Sequence, residues 1–143
     1  MAKDRPRLLL AEDHPATREL LRTLLQLEFD VLTAVEDGLA LVAAAERLSP
    51  DVIVADISMP GLDGIAAAAR ILRRNPAARI VFVTAHGEPV LAERGVATGA
   101  LGFVLKVAAG NELVPAVHAA IRGERHISCE CQRVHERSSY DGH

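Results

Sequence analysis

A chain of 143 residues, half of them apolar and 24% charged, makes one compact domain, since a chain of this size buries roughly two-thirds of the surface it exposes when unfolded. The formal charge of −3 supplies no positive field for nucleic acid or an anionic membrane, and 3% aromatic residues leave no platform for stacked bases, so direct DNA binding by this chain is not expected. The longest apolar run, residues 39–45, falls far short of the ~20 residues that cross a bilayer, and the opening MAKDRPRLLLAED has no signal-peptide core, so a cytoplasmic location without membrane contact is expected.

In chain order, a first strand is predicted over residues 7–11, followed by a helix that opens at Pro15 and places Leu20, Leu21, Leu24 and Leu25 on one stripe. A second strand over 31–35 precedes a helix whose Leu41, Val42, Ala45 and Leu48 form its apolar stripe before Pro50. The third strand, 52–55, leads to a helix from Gly64 to about Arg73 that stops before Asn75-Pro76. Strand 80–84 precedes helix 88–97, and strand 101–105 precedes helix 111–122. Five βα units, three of their strands apolar almost throughout, predict a parallel sheet covered on both faces, and right-handed crossovers give a three-layer α/β/α sandwich over residues 1–123.

From Glu124 the pattern fades into the polar stretch RHISCECQRVHERSSYDGH, read as a C-terminal tail over 124–143, with room for a helix extension or a stray strand and no recognisable output domain. Cys129 and Cys131 lie too close together to staple the body of the fold. With His126 and His135 they offer four soft-metal ligands, but the spacing matches no common structural zinc pattern, and two reduced thiols on a frayed segment are the simpler expectation.

In open α/β sheets, function gathers at the carboxyl ends of the strands. Glu12 and Asp13 follow strand one, Asp56 strand three, Thr84 ends strand four and Lys106 follows strand five. Two carboxylates about 5 Å apart at an effective dielectric of about 20 repel by roughly 3 kcal/mol, so gathering Glu12, Asp13 and Asp56 on one edge calls for a cation. Oxygen-only ligands with vacancies suit Mg²⁺ better than Zn²⁺ or a caged Ca²⁺. A carboxylate becomes a nucleophile toward phosphorus when a cation and a lysine neutralise the equatorial oxygens. Asp56, followed by the turn SMPGLDG, is the best-placed nucleophile.

The segments LLLAEDHP, DVIVADISMPGLDG, IVFVTAHG and GFVLK, in this order and spacing, resemble the receiver domain of bacterial two-component response regulators over residues 6–123. GFVLK followed by an NEL-containing helix and RGE looks most like the receivers that carry a helix-turn-helix output domain of NarL/FixJ/LuxR type. The resemblance implies a flavodoxin-like (βα)5 fold with a five-stranded parallel sheet of order 2-1-3-4-5. It implies Asp56 as phospho-acceptor, Asp13, Asp56 and the Ser58 carbonyl as Mg²⁺ ligands, and Glu12 acting mainly through metal-bound water. Lys106 matches the lysine that pairs with phosphoryl oxygens, Thr84 the hydroxyl that reorients toward them, Phe103 the aromatic switch and Ala85 the small residue beside the site. Ser58 and His86 fall at the two variable positions that influence phosphoryl lifetime.

The implied partners are a sensor histidine kinase or a histidine phosphotransfer protein and, after phosphorylation, a second copy of the chain. Leu91, Phe103, Val114 and His118 are candidates for that output face, Val114 packing inward. The implied role is a phospho-acceptor signalling domain, not an enzyme in the usual sense, one that promotes its own phosphorylation and dephosphorylation and regulates transcription through a partner or output domain. One residue departs from the pattern: Val107 stands where the family usually has Pro. A cis Lys106-Val107 bond would cost ~2.5–4 kcal/mol against ~0.5–1 for X-Pro, so a trans bond or a rearranged loop is expected.

Other readings fit less well. A flavodoxin-type flavin site would put phosphate against Glu12 and Asp13, and a haloacid-dehalogenase-type phosphatase would need an Asp where Ser58 stands. The alternative that remains is a receiver-like docking or dimerisation module that works without phosphorylation.

Overall fold

The computed structural model describes residues 5–85 and 87–128. Strands β1 (Arg7–Ala11), β2 (Asp30–Val35), β3 (Val52–Asp56), β4 (Ile80–Thr84) and β5 (Gly102–Leu105) alternate with helices α1 (Pro15–Gln26), α2 (Gly38–Leu48), α3 (Gly64–Arg74), α4 (Pro89–Ala97) and α5 (Ala109–Ile121). All neighbouring strands pair in parallel.

Residue alternation along the strands builds both cores. Leu9, Ile53, Phe82 and Phe103 pack with Leu41, Ile65 and Ile71 on one face. Leu8, Leu10, Val54, Val81 and Val83 pack with Leu21, Leu25, Leu113 and Val117 on the other. Of the α1 stripe, Leu21 and Leu25 are buried and Leu24 is partly so, whereas Leu20 stands 71% exposed. Asp37 and Asp63 cap α2 and α3 through bonds of 2.8 Å from the Ala40 and Ala66 amides, which fixes where each helix leaves its loop.

The five-stranded expectation is corrected to six strands among the described residues, in the order β2-β1-β3-β4-β5-β6. The sixth, β6 (His126–Ile127), comes from the stretch read as tail. Gly123 at φ 78° ends α5 and turns the chain back, and β6 then pairs with β5 through Gly102↔His126 and Phe103↔Ile127. The His126 amide donates to Leu101 O at 2.9 Å and the Ser128 amide to Phe103 O at 2.7 Å. An otherwise open edge of β5 thus finds backbone partners, a gain that two residues cannot announce by periodicity.

The second correction lies at the start of α5. A 3-10 turn over Lys106–Ala108 runs directly into the helix, which begins at Ala109 and not at Asn111. Among the described residues no peptide bond is cis, so Lys106-Val107 is trans as expected, and Val107 projects into solvent at 87% exposure. No helix among the described residues is long and apolar enough to cross a membrane.

Candidate functional site

The strand order reverses between β1 and β3, and the crevice beyond their carboxyl ends is where α/β sheets of this kind bind ligands. Glu12 follows β1 there, its amide held by Val35 O at 2.9 Å, and Asp56 ends β3. Gly64 makes this geometry possible, because the start of α3 runs so close to the Asp56 carbonyl that a Cβ at Gly64 would collide with it.

One carboxylate oxygen from each of Glu12, Asp13 and Asp56 lies within 4.8 Å of the others. Lys106 Nζ reaches in from the end of β5, 2.8 Å from Glu12 Oε1 and 3.0 Å from Asp56 Oδ2. The Ser58 amide donates to Asp56 Oδ1 at 3.2 Å, and the His14 amide to Glu12 Oε2 at 3.1 Å. Glu12 is wholly buried and Asp56 is 4% exposed. These groups, with His14, Thr17, Ser58 and Ala85, line an open cleft of about 430 Å³.

Burial pushes the Glu12 carboxyl above its ordinary value, helped by the Asp56 charge and opposed by Lys106 and the His14 amide. Burial also acts to lower Lys106, but the bonds and charges of Glu12 and Asp56 outweigh it and hold the ammonium above its ordinary value.

A divalent cation fits this donor set. Among the described residues one ammonium faces three carboxylates, so Lys106, engaged by the wholly buried Glu12 and by Asp56, leaves negative charge at the site for a cation to offset. The cluster found among the described residues offers carboxylate oxygens, and the cleft leaves room for water and phosphate oxygens, which is the chemistry of Mg²⁺ sites.

Of the residues singled out in the sequence, Glu12, Asp13, Asp56, Ser58, Ala85 and Lys106 line one cleft. Thr84 ends β4 opposite Leu105 and is fully buried. Phe103 is also fully buried, in the core on the α2–α4 face of the sheet. Leu91 is partly buried against that core, and His118 Nε2 is engaged with Glu28 Oε1 at 2.7 Å. Since β6 lies along β5, the surface around α4, β5 and α5 includes His126 and Ile127. His86, Cys129, Cys131 and His135 lie outside the described residues, while His126 Nε2 stands 3.2 Å from Glu112 Oε1.

Sequence reasoning missed His14, Thr17 and Arg18. The first two line the cleft, and Arg18 binds the backbone of the acidic pair. For His14 and Thr17 the signal was their place at the cap and in the first turn of the helix that follows Glu12-Asp13.

Residues 8–118 match the response regulator receiver domain family, and the chain belongs to it. It is 37% identical over 126 residues to the uncharacterized transcriptional regulatory protein YxjL of Bacillus subtilis (strain 168), covering 87% of this chain and 58% of that protein. A two-component response regulator of the LuxR family from Aurantimonas sp. SI85-9A1 superposes with a TM-score of 0.92 at 29% identity, over 96% of this chain and 99% of that one. The isolated REC domain of RcsB from Salmonella enterica serovar Typhimurium, solved in the presence of phosphomimetic BeF3−, gives 0.82 at 27% identity, over 92% and 99%. The chain spans little more than half the length of the curated transcriptional regulators it matches.

Proposed function

We propose that this domain accepts a phosphoryl group on Asp56 from the phosphohistidine of a sensor histidine kinase or a histidine phosphotransfer protein. The observation that carries the reading is the Asp56 carboxylate, at the end of a buried central strand, beside Glu12 and Asp13 and 3.0 Å from Lys106 Nζ. An Asp56 oxygen attacks phosphorus, the O–P bond forms as the N–P bond breaks, and the donor imidazole leaves with the N–P electron pair and takes up a proton from solvent. Bound at Asp13, Asp56 and the Ser58 carbonyl, with Glu12 reached through water, Mg²⁺ would supply positive charge for the phosphoryl oxygens. Lys106, already on Asp56, neutralises a further oxygen, so most of its positioning precedes the reaction. Its reach into the site despite Val107 favours phosphotransfer over a docking module that works without it.

The added charge draws Thr84 toward the phosphoryl group, and Phe103 turns into the space released, altering the surface around α4, β5 and α5. A phosphorylation-dependent homodimer on this surface would pass the signal to transcription through an output region or partner, with no direct DNA binding by the receiver. The RcsB domain is a parallel, having been solved with a phosphomimetic. In this reading residues 1–123 form the receiver, to which β6 (His126–Ile127) adds an edge strand, in a cytoplasmic protein.

Intact-protein mass spectrometry after acetyl phosphate treatment tests the proposal. The expected result is a labile gain of one phosphoryl group that needs Mg²⁺ and disappears in Asp56→Asn. Undiminished labelling of Asp56→Asn would remove Asp56 as the acceptor.

A further inference from the structure

Arg18, in the first turn of α1, reaches back under the acidic pair. Its Nη1 donates to the Glu12 carbonyl at 3.0 Å and to the Asp13 carbonyl at 3.4 Å. The same nitrogen lies 3.7 Å from Glu36 Oε1, but that carboxylate is 69% exposed and the pair is long, so the two carbonyl bonds are the substance of the contact. The Arg18 side chain is only 19% exposed.

Both peptide units bound in this way carry a carboxylate of the proposed cation site. Three like charges within 4.8 Å push the loop that bears two of them to open, and other ties on that loop include the Glu12 amide to Val35 O, the His14 amide to Glu12 Oε2 and Lys106 Nζ 2.8 Å from Glu12 Oε1. Arg18 is the contact that fixes the carbonyls of both acidic residues at once. We propose that Arg18 is a positioning residue for the divalent-cation site, holding Glu12 and Asp13 against their mutual repulsion through its bonds to their backbone carbonyls. The inference rests on the cation-dependent reading of the site given above.

The proposal separates from simple charge effects by sign. Removing a nearby positive charge should, by Coulomb's law alone, tighten cation binding. Loss of a positioning contact behind metal ligands should weaken it, and such contacts are typically worth about 10–100-fold in metal affinity.

Calorimetric titration of the full chain with MgCl2 compares the parent, Asp13→Asn, Arg18→Ala and Arg18→Gln, each also melted in EDTA. Expected are binding by the parent, its loss in Asp13→Asn, and a Kd for Arg18→Ala raised about tenfold. Arg18→Gln, which keeps an amide donor for one carbonyl without the charge, should fall between the two. A cooperative EDTA melt for Arg18→Ala within a few degrees of the parent assigns the change to the site. Should that variant melt without cooperativity, Arg18→Gln carries the comparison. An arginine variant that folds and binds Mg²⁺ as tightly as the parent, or more tightly, overturns the proposal. A parent chain that binds no Mg²⁺ defeats the cation-dependent reading itself, which is a different result.

Discussion

Burial of Glu12 beside Asp56 makes the metal-free site a source of instability that depends on pH. Its folded carboxyl binds a proton more strongly than the unfolded one, so its contribution to stability is complete below the ordinary value of 4.5 and is lost as pH rises through the raised value. Lys106 is also raised, so its contribution is present through neutrality and is lost only as pH rises above 10.5 and through its folded value. In EDTA at neutral pH, Glu12→Gln should therefore be more stable than the parent, by about 1 kcal/mol on the scale of a relieved buried charge, with the difference vanishing as pH falls to 4.5. Urea unfolding at several pH values measures this, and a variant less stable than the parent at pH 7 would contradict it. At this scale the sequence was informative wherever chemistry attaches to residue type: carboxylates and a lysine at strand ends could be picked out before any coordinates. Arg18 escaped because it acts on backbone carbonyls, which no residue pattern records.

Elements position the site through close approaches more than through the length of any helix or strand. The start of α3 passes against the Asp56 carbonyl, where a methyl group would meet backbone and not a flexible side chain. Gly64→Ala should therefore lose about 1–3 kcal/mol in chemical denaturation, the range for overpacking a tight contact. A variant as stable as the parent would show that the two segments can separate freely. Strands β1 to β5 were legible because most of them carry short apolar runs, wholly so at 52–55 and 80–83, as strands covered on both faces do. Strand β6 was not, because its two residues sit in a polar stretch and their pairing is decided by the unpaired edge of β5. The 3-10 turn over Lys106–Ala108 was not foreseen, because Val107 in place of Pro pointed only to a trans bond or a rearranged loop without specifying its form.

For the whole molecule, the receiver family and the parallel sheet were both readable in the chain, since four motifs in fixed order leave few folds that could hold them together. The surface that would transmit the signal was less readable, because Phe103 is buried and β6 adds His126 and Ile127 to the edge where a partner would meet β5. Sedimentation of the chain before and after acetyl phosphate with Mg²⁺ should show a shift from monomer toward dimer. A dimer equally populated before treatment would instead favour docking without phosphorylation.

Everything in the account turns on which atom receives the phosphoryl group. Borohydride reduces an acyl phosphate to the alcohol, so the phosphorylated chain can be trapped, digested and mapped by mass spectrometry. The expected product is homoserine at position 56 and nowhere else, formed only when Mg²⁺ was present during phosphorylation. A stable phosphoryl group on a serine, threonine or histidine, or homoserine at position 13, would contradict the assignment of Asp56.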